Sequence, residues 1–504
     1  MPVLAYSHMK FMSNLANILA DDGHNVTVLL SHHIPLNNID GLIQNKNIEI
    51  INYYPDNFEE LKNKKEENYE QFWDTSLLIN PIIGMFMMPK ILMSTFGNLG
   101  RQLLQDKEFH AKLKTKHFDA FVVETFDMSP FYLAHLIDIT KTISVFSVSK
   151  ISIQSLFGQP TTLGYIPGEF SRSGSEAGFL DRLNDLYHFV IGKLTESSMF
   201  EVQHSEYTKL ILKYDIPHWQ ELITNSPFYF LNSNSYLDFA TPNVERIVNI
   251  GGITIDKNKN FDDLPQEYED ILKERPATIL ISFGSVVKSF AMPQSFKTSF
   301  LELFESLPHV TFIWKYERND EMMHRIPKNV HLKKWVPQSA LLADQRVKLF
   351  VTHAGLGSTM EVAYSGKPAC VIPLFADQPY NAMMLSRHGG ARIYRKHDIP
   401  DSKKLIEVIT DMVDNPAYDK NAKKLQEILH YQPIDPKEKF LKHMEFSMKF
   451  DKLDTLIPEN NKNGLFVFYY IDVFLFFGTI LGLFLYLLYR LKRRLCYSNK
   501  SKIE

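Results

Sequence analysis

Between Trp335 and Gln378 the chain twice runs from a short apolar strand into a helix, and each crossing carries groups suited to an anion or a sugar. Val347-Lys348-Leu349-Phe350-Val351 is β-rich and ends at Thr352-His353. Ala354-Gly355-Leu356-Gly357-Ser358 follows, then a helical stretch around Glu361 to Ser365. Ala369-Cys370-Val371-Ile372-Pro373 reads as the next buried strand, and Asp377-Gln378-Pro379 opens another helix. In a parallel α/β sheet both turns lie at the carboxyl edge of the strands, where ligands bind. Free N–H groups at the start of the helix after Gly355 would point at an anion, and phosphate is the natural guest. Gly355 and Gly357 by themselves need signify only a tight turn. In register with Trp335, His353, Glu361, Asp377 and Gln378 they form a candidate site.

A second centre lies near the start. Met1 to Tyr6 is a short apolar strand, Ser7 caps a helix with Met12, Leu15, Ile18 and Leu19 at helical spacing, and Gly23 stops it. Val26 to Leu30 is the next strand, which completes a βαβ opening. His8 then falls in the first helical turn, where the positive helix end should hold the imidazole neutral, as a general base requires. A histidine in that place can equally be a surface or capping residue. Phe118 to Val123 is another strand, ended by Glu124, with the carboxylate of Asp127 three residues on. Ala277 to Ser282 leads into Phe283-Gly284-Ser285, a further strand-to-turn with a small hydroxyl, and Val310 to Trp314 is the strand after it.

The segment from Trp335 to Gln378 resembles the nucleotide-sugar signature of the UDP-glycosyltransferases, more closely the animal UDP-glucuronosyltransferase branch, opening on Trp and closing on Asp-Gln. Ser7-His8, with Gly23-His24-Asn25-Val26-Thr27 beyond it, resembles that family's catalytic-base region. The resemblance implies that Trp335 stacks on uracil, Gln338 contacts the ribose and Glu361 takes its hydroxyls. It implies that His353, Gly355, Gly357 and Ser358 hold the diphosphate with Ser285 near it, and that Asp377 and Gln378 take the hydroxyls of the donated sugar. His8 would be the base and Glu124 its orienting carboxylate, as in a triad. Two departures stand out: many members carry Asn where Gly357 stands, and commonly Asp where Glu124 stands. Asp127 is the fallback orienting carboxylate.

The rest of the chain bounds this reading. Its 504 residues allow three domains or fewer, and a net charge of -3 argues against nucleic acid as a partner. Cys370 and Cys496 flank a predicted membrane span, so no disulfide framework is expected in the lumenal part. No basic n-region or apolar h-region precedes the first strand, and the cellular protein is expected to begin upstream with a signal peptide. The sequon Asn25-Val26-Thr27 overlaps a strand expected to be buried, so it should stay unmodified. Leu77 to Leu99 is apolar but broken by Pro81, Pro89 and Lys90; it makes either core helices or a greasy acceptor pocket and membrane-facing surface. Residues 150–225 look helical and loop-rich, Phe228 to Ser233 is a strand, and the polar stretch Asp256 to Asp263 marks a domain boundary. Leu465 to Tyr489 is nearly all apolar and long enough to cross a bilayer, which takes about 20 residues. Arg490, Lys492, Arg493 and Arg494 follow, placing the C-terminus in the cytosol. Asp472 is costly there unless it lies near the lumenal interface or pairs with another helix. Lys500 and Lys502 form a dilysine-type retrieval signal for the endoplasmic reticulum, or else only a basic flank.

The resemblance thus implies an α/β protein of the GT-B class: two facing doubly wound, Rossmann-like domains plus one C-terminal transmembrane helix. Residues 1–255 would bind the acceptor, 256–455 the UDP-sugar; 465–489 would span the membrane and 490–504 form a basic cytosolic tail. Expected partners are a UDP-sugar as co-substrate, a small lipophilic acceptor and membrane lipid, with a homo-oligomer possible; no cofactor and no metal are expected. The reaction would be an inverting transfer, glucuronic acid favoured, onto an acceptor hydroxyl at the endoplasmic reticulum membrane with the catalytic domains lumenal. A UDP-glucose-using enzyme and a catalytically inactive, membrane-tethered UDP-sugar binder are the alternatives.

Overall fold

Apolar runs such as Ala277-Thr278-Ile279-Leu280-Ile281-Ser282 are too uniformly apolar to leave one face in water and are therefore covered on both. The computed structural model describes residues 6–33, 41–63, 69–73, 81–149, 152–159, 178–256, 264–450, 453–457, 465–468 and 470–500. The chain falls into a large unit, Met1–Lys452, and a small one, Leu453–Glu504.

Within the large unit, β1 (Thr27–Ser31) and β2 (Glu49–Tyr53) pair in parallel. β3 (Phe121–Glu124), β4 (Thr142–Phe146), β5 (Tyr229–Leu231) and β6 (Ile247–Asn249) form a four-stranded parallel sheet in that order. The second sheet has six parallel strands: β7 (Ala277–Ser282), β8 (Val310–Lys315), β9 (Val330–Lys333), β10 (Val347–Thr352), β11 (Ala369–Val371) and β12 (Ala391–Ile393). Its spatial order is β12-β11-β10-β7-β8-β9, so the chain reverses direction between β7 and β10. That reversal is the switch point at which open α/β sheets bind ligands. Ile279, Ile281, Phe300, Trp314 and Val351 pack on one side of this sheet, and Leu280, Ile313, Phe350, Met360 and Ala382 on the other. This is the doubly wound layering of GT-B.

The helices that bear on the site are α1 (Tyr6–Asp21), α2 (Pro81–Gln105), α3 (Phe179–Leu210), α4 (Gln338–Ala343), α5 (Leu356–Ser365) and α6 (Gln378–Ser386). α1 buries Met9, Met12, Leu15, Ile18 and Leu19, and Gly23 ends its run with a φ of 96°. The helix begins at Tyr6, so Ser7 is inside it rather than its cap; the expected strand before it lies outside the described residues apart from Tyr6 itself. The expected strand at Val26–Leu30 is β1, one residue later, and Asn25 is exposed ahead of it. The burial expected at the sequon is therefore not found at Asn25. α2 runs through Pro89 as one helix; Phe96, Leu99 and Leu103 are buried while Phe86, Met87 and Ile91 are exposed. The polar stretch Asp256 to Asp263 lies outside the described residues except for Asp256.

In the small unit α7 (Ile471–Lys500) contains the segment Ile471–Arg494, the one described helix long and apolar enough to cross a membrane. The expected span starting at Leu465 is broken, because Tyr470 takes a positive φ of 55° between a short helix, Leu465–Phe468, and α7. Asp472 consequently sits in the first turn of α7, at a helix end rather than in mid-span.

Candidate active site

The base candidate and its carboxylate come from elements far apart in sequence. α1 delivers His8, and β3 delivers Glu124 as its last residue, with Nδ1 of His8 2.7 Å from Oε1 of Glu124. The Glu124 side chain has no solvent exposure and that of His8 has 17 %. Ser147, just past β4, lies with its hydroxyl 2.8 Å from His8 Nδ1 and donates to the same Glu124 oxygen. The Phe126 ring meets the imidazole edge-on, with 5.2 Å between centroids. Burial works against an imidazolium here, yet the Glu124 carboxylate outweighs it, with Asp377 adding to the effect, and His8 is held above its ordinary value. Burial raises Glu124 in turn, but His8 and Ser147 together bring it below the usual carboxylate range. The expectation that the helix end keeps His8 neutral is thus corrected. With Nδ1 turned to Glu124, Nε2 is the nitrogen left for a substrate.

Glu124, with one methylene more than the commoner Asp, reaches His8 directly. Asp127 does not share this task. It accepts from the Ser129 backbone N–H at 2.9 Å and hydroxyl at 2.8 Å, and lies 3.4 Å from Nε2 of another buried histidine, His33.

On the six-stranded sheet, Trp335 is 44 % exposed, with Tyr6 of α1 edge-on to it at 5.4 Å and Lys315 Nζ 5.0 Å from its ring centroid. Gln338 starts α4 and donates to Glu361 Oε2 at 2.6 Å and to the Ser358 hydroxyl at 3.0 Å. Glu361, one turn into α5, also accepts from Ser339 at 2.7 Å and Lys10 at 2.8 Å. Burial alone would raise Glu361; the Lys10 ammonium overrides it and holds the carboxylate below its ordinary value.

The turn between β10 and α5 is shaped around His353. Burial, with help from Lys315, pulls this imidazole down to about 3, so it is a neutral polar group. A Cβ on Gly355 would stand 2.6 Å from His353 Nε2, and one on Gly284, whose φ is +82°, 2.7 Å from Cε1. Both positions therefore exclude any side chain while the imidazole stays where it is. Gly357 is different: its Cβ position has only Ser7 Cβ nearby, at 3.9 Å, so a side chain there would fit. Gly355 is the N-cap of α5, leaving the first N–H groups of that helix, at Leu356, Gly357 and Ser358, free of partners within the helix. Ser285 follows Gly284 in the facing turn, its carbonyl accepting from Lys288 at 2.6 Å.

At the second turn, Asp377 is the N-cap of α6 and half-buried, and the loss of solvent around its carboxyl raises it above the usual range despite the Asn381 amide at 2.8 Å. Asp377 and His8 influence each other electrostatically, which puts this carboxyl group in the neighbourhood of the dyad. Gln378 points inward: its Oε1 accepts from the N–H groups of Leu374 at 2.8 Å and Phe375 at 3.1 Å, which fixes the turn. Asn381 ties the two turns together by also donating to the Ala354 carbonyl at 3.1 Å.

The candidate catalytic and donor-site residues singled out in the sequence thus lie on the carboxyl-edge turns and in the first two helical turns just described. Four others escaped notice. Ser147 had a signal, a small hydroxyl directly after an apolar run, as at Ser285. Asn381 had its spacing from Asp377, one helical turn. Lys10 and Lys315 had none, since each acquires its partners through tertiary structure. Lys315 ends β8 buried, donates to the Gly284 carbonyl, and is driven down to about 8 by burial against the pull of Glu317.

The family model for UDP-glucuronosyl and UDP-glucosyl transferases matches residues 2–502. The chain is 28 % identical to bovine UDP-glucuronosyltransferase 3A1, over 98 % of this chain and 93 % of that protein. It is 27 % identical to human UDP-glucuronosyltransferase 3A2, over 94 % and 89 %. Among solved structures, the glycosyltransferase VinC in complex with dTDP superposes with a TM-score of 0.56 at 14 % identity, covering 89 % of this chain and 98 % of that one, a likeness of fold. With a family match running almost from end to end over a GT-B fold, the chain belongs to the UDP-glycosyltransferase family, as an enzyme of that family.

Proposed function

We propose that the protein transfers a sugar, glucuronic acid by preference, from its UDP-sugar to a hydroxyl of a small lipophilic acceptor with inversion at the anomeric carbon. The observation that carries this is the contact of His8 with Glu124 beside Asp377. In this reading Trp335 stacks on uracil, Glu361 and Gln338 take the ribose, and the turn from His353 to Ser358, with Ser285 opposite, receives the diphosphate. Asp377 takes a hydroxyl of the sugar, and Gln378 holds the turn that aims it. His8 Nε2 removes the acceptor proton, Glu124 balances the imidazolium that forms, and the acceptor oxygen attacks the anomeric carbon opposite the UDP. The α5 N–H groups stabilise the leaving diphosphate. Residues 1–255 form the acceptor side and 256–455 the donor side.

A lipophilic acceptor, or a surface laid against lipid, is supported by exposed apolar side chains on α2 (Phe86, Met87, Ile91) and α3 (Leu180, Leu183, Val190). α7 would anchor the chain, with the basic run from Arg490 to Arg494 on the cytosolic side of the endoplasmic reticulum membrane and the catalytic part in the lumen. UDP-glucose is the second reading of the donor, favoured by the half-buried Asp377, whose carboxylate would repel the carboxylate of glucuronate at close range. An inactive binder would have no use for the His8–Glu124 contact.

The test is transfer from radiolabelled UDP-glucuronate and UDP-glucose to phenol and steroid acceptors, with His8→Ala as the control. Transfer from UDP-glucuronate that His8→Ala abolishes, with UDP binding intact, is the expected result. Transfer from UDP-glucose alone selects the second reading. UDP binding without transfer from either donor would leave only the binder.

A further inference from the structure

The helix that carries His8 is fastened to the donor side of the cleft. Ser7 of α1 lies against Gly357 of α5, 3.9 Å from the Cβ position there, and Lys10 reaches Glu361 on the same helix at 2.8 Å. The Glu361 carboxylate is nearly full. Its Oε1 accepts from Lys10 and Ser339, and its Oε2 from Gln338. A carboxylate offers about four lone-pair sites. Three are taken, while a ribose diol asks for two, so one protein donor must leave when the diol arrives.

Gln338 and Ser339 are the first two residues of α4, and the Gln338 amide is held in addition by Ser358. Ser339 is exposed too, but it and Gln338 are held by α4 on the donor side, whereas Lys10 comes from the opposite side on a long side chain, 31 % exposed, whose ammonium has water to return to. We propose that Lys10 is a positioning residue that competes with the donor's ribose for Glu361, so that helix α1 and His8 are tethered to the donor site when it is empty and released when it fills. The inference rests on the reading of Glu361 as the ribose-binding carboxylate. Its consequence is that the nucleotide must break the tether in order to bind, and that donor occupancy changes the restraint on the base two residues away.

The test is calorimetric binding of UDP and of 2′,3′-dideoxy-UDP, which lacks the competing hydroxyls, to the full-length wild type, Lys10→Met and Lys10→Arg. Lys10→Met keeps the length of the side chain and removes the charge. It should bind UDP about tenfold more tightly than wild type, the equivalent of roughly 1.4 kcal/mol. The dideoxy nucleotide should bind both proteins alike, and Lys10→Arg, which keeps the cation, should stay near wild type. UDP binding that is unchanged or weaker in Lys10→Met overturns the proposal, as does an equal change for both nucleotides; weaker binding would make Lys10 a direct diphosphate ligand. A Lys10→Met protein that binds UDP and its dideoxy form equally would instead refute the role of Glu361, and the competition with it.

Discussion

Replacing Glu124 with Gln keeps the shape of the dyad and removes its charge, and the two effects on rate can be separated. Nδ1 of His8 lies 2.7 Å from Oε1 of Glu124 in a site with no exposure on the carboxylate side. In the proposed reaction, once the imidazole takes the acceptor's proton, the two charge centres stand about 4 Å apart, worth roughly 4 kcal/mol at an effective dielectric constant of 20. At 1.36 kcal/mol for each factor of ten, losing that attraction in the transition state costs about a thousandfold in rate. The figure falls within the 10²–10⁴-fold typical of general-base catalysis. The pH profile supplies the second readout. In the proposed mechanism His8 must be unprotonated to act, and Glu124 holds it above its ordinary value, so the wild-type rate should fall on the acid side with a midpoint above that of an ordinary histidine. In Glu124→Gln burial acts without its main opponent, and the midpoint should move to lower pH while the plateau drops. The assay is kcat/KM for acceptor, measured with radiolabelled donor across that transition. A variant with the wild-type plateau, or with a lowered plateau and an unmoved acid limb, would refute the electrostatic role of Glu124.

Trp335→Ala should weaken UDP binding by roughly 1–3 kcal/mol, the scale of base-on-aromatic stacking, as read by calorimetry; unchanged affinity would remove Trp335 from the base site. Lys315, driven down to about 8 and next to both Trp335 and His353, should hold its proton to higher pH when the diphosphate binds. UDP affinity should then fall as the pH rises through about 8, and Lys315→Met should flatten that slope; a slope of wild-type steepness would assign the proton elsewhere. Deleting residues 464–504 should move the protein from the membrane pellet to the soluble fraction of cells, and continued pelleting would mean that the exposed apolar faces of α2 and α3 also hold lipid.

The readable part of the fold was the part determined locally. β7 lies where its apolar run predicts, and β8 and β10 exceed their predicted ends by one residue each, because a run buried on both faces in a parallel sheet differs sharply from its surroundings. β2, β4, β6, β9 and β12 were not anticipated. β2 reads Glu-Ile-Ile-Asn-Tyr with three exposed positions, and β12 has three residues of which two are exposed. Such strands exist because a neighbour supplies the ladder, and no window of their own sequence announces it. The candidate site divides in the same way. Gly355 and Asp377 belong to turns whose chemistry is written in adjacent residues, whereas Ser147 meets His8 across 139 positions and Lys10 meets Glu361 across 351.

His8 shows why a local argument can have the right mechanism and the wrong sign. The positive end of α1 does disfavour an imidazolium, and a helix end is worth about 0.3–1 kcal/mol at an ordinary site. A buried carboxylate in hydrogen-bond contact is worth roughly 4 kcal/mol by the Coulomb estimate, several times more and of opposite sign. From the sequence only the smaller contribution was certain, since Glu124 stands 116 positions away. Once the fold brings it to 2.7 Å, magnitude decides, and the base becomes a stronger proton acceptor that is less often free of its proton. In the proposed reaction the two effects oppose each other, a greater pull on the acceptor's proton against a smaller fraction of enzyme in the neutral form. The prediction that separates this from a dipole-controlled base is the direction in which Glu124→Gln moves the acid limb: downward if the carboxylate governs His8, and unmoved if the helix end does.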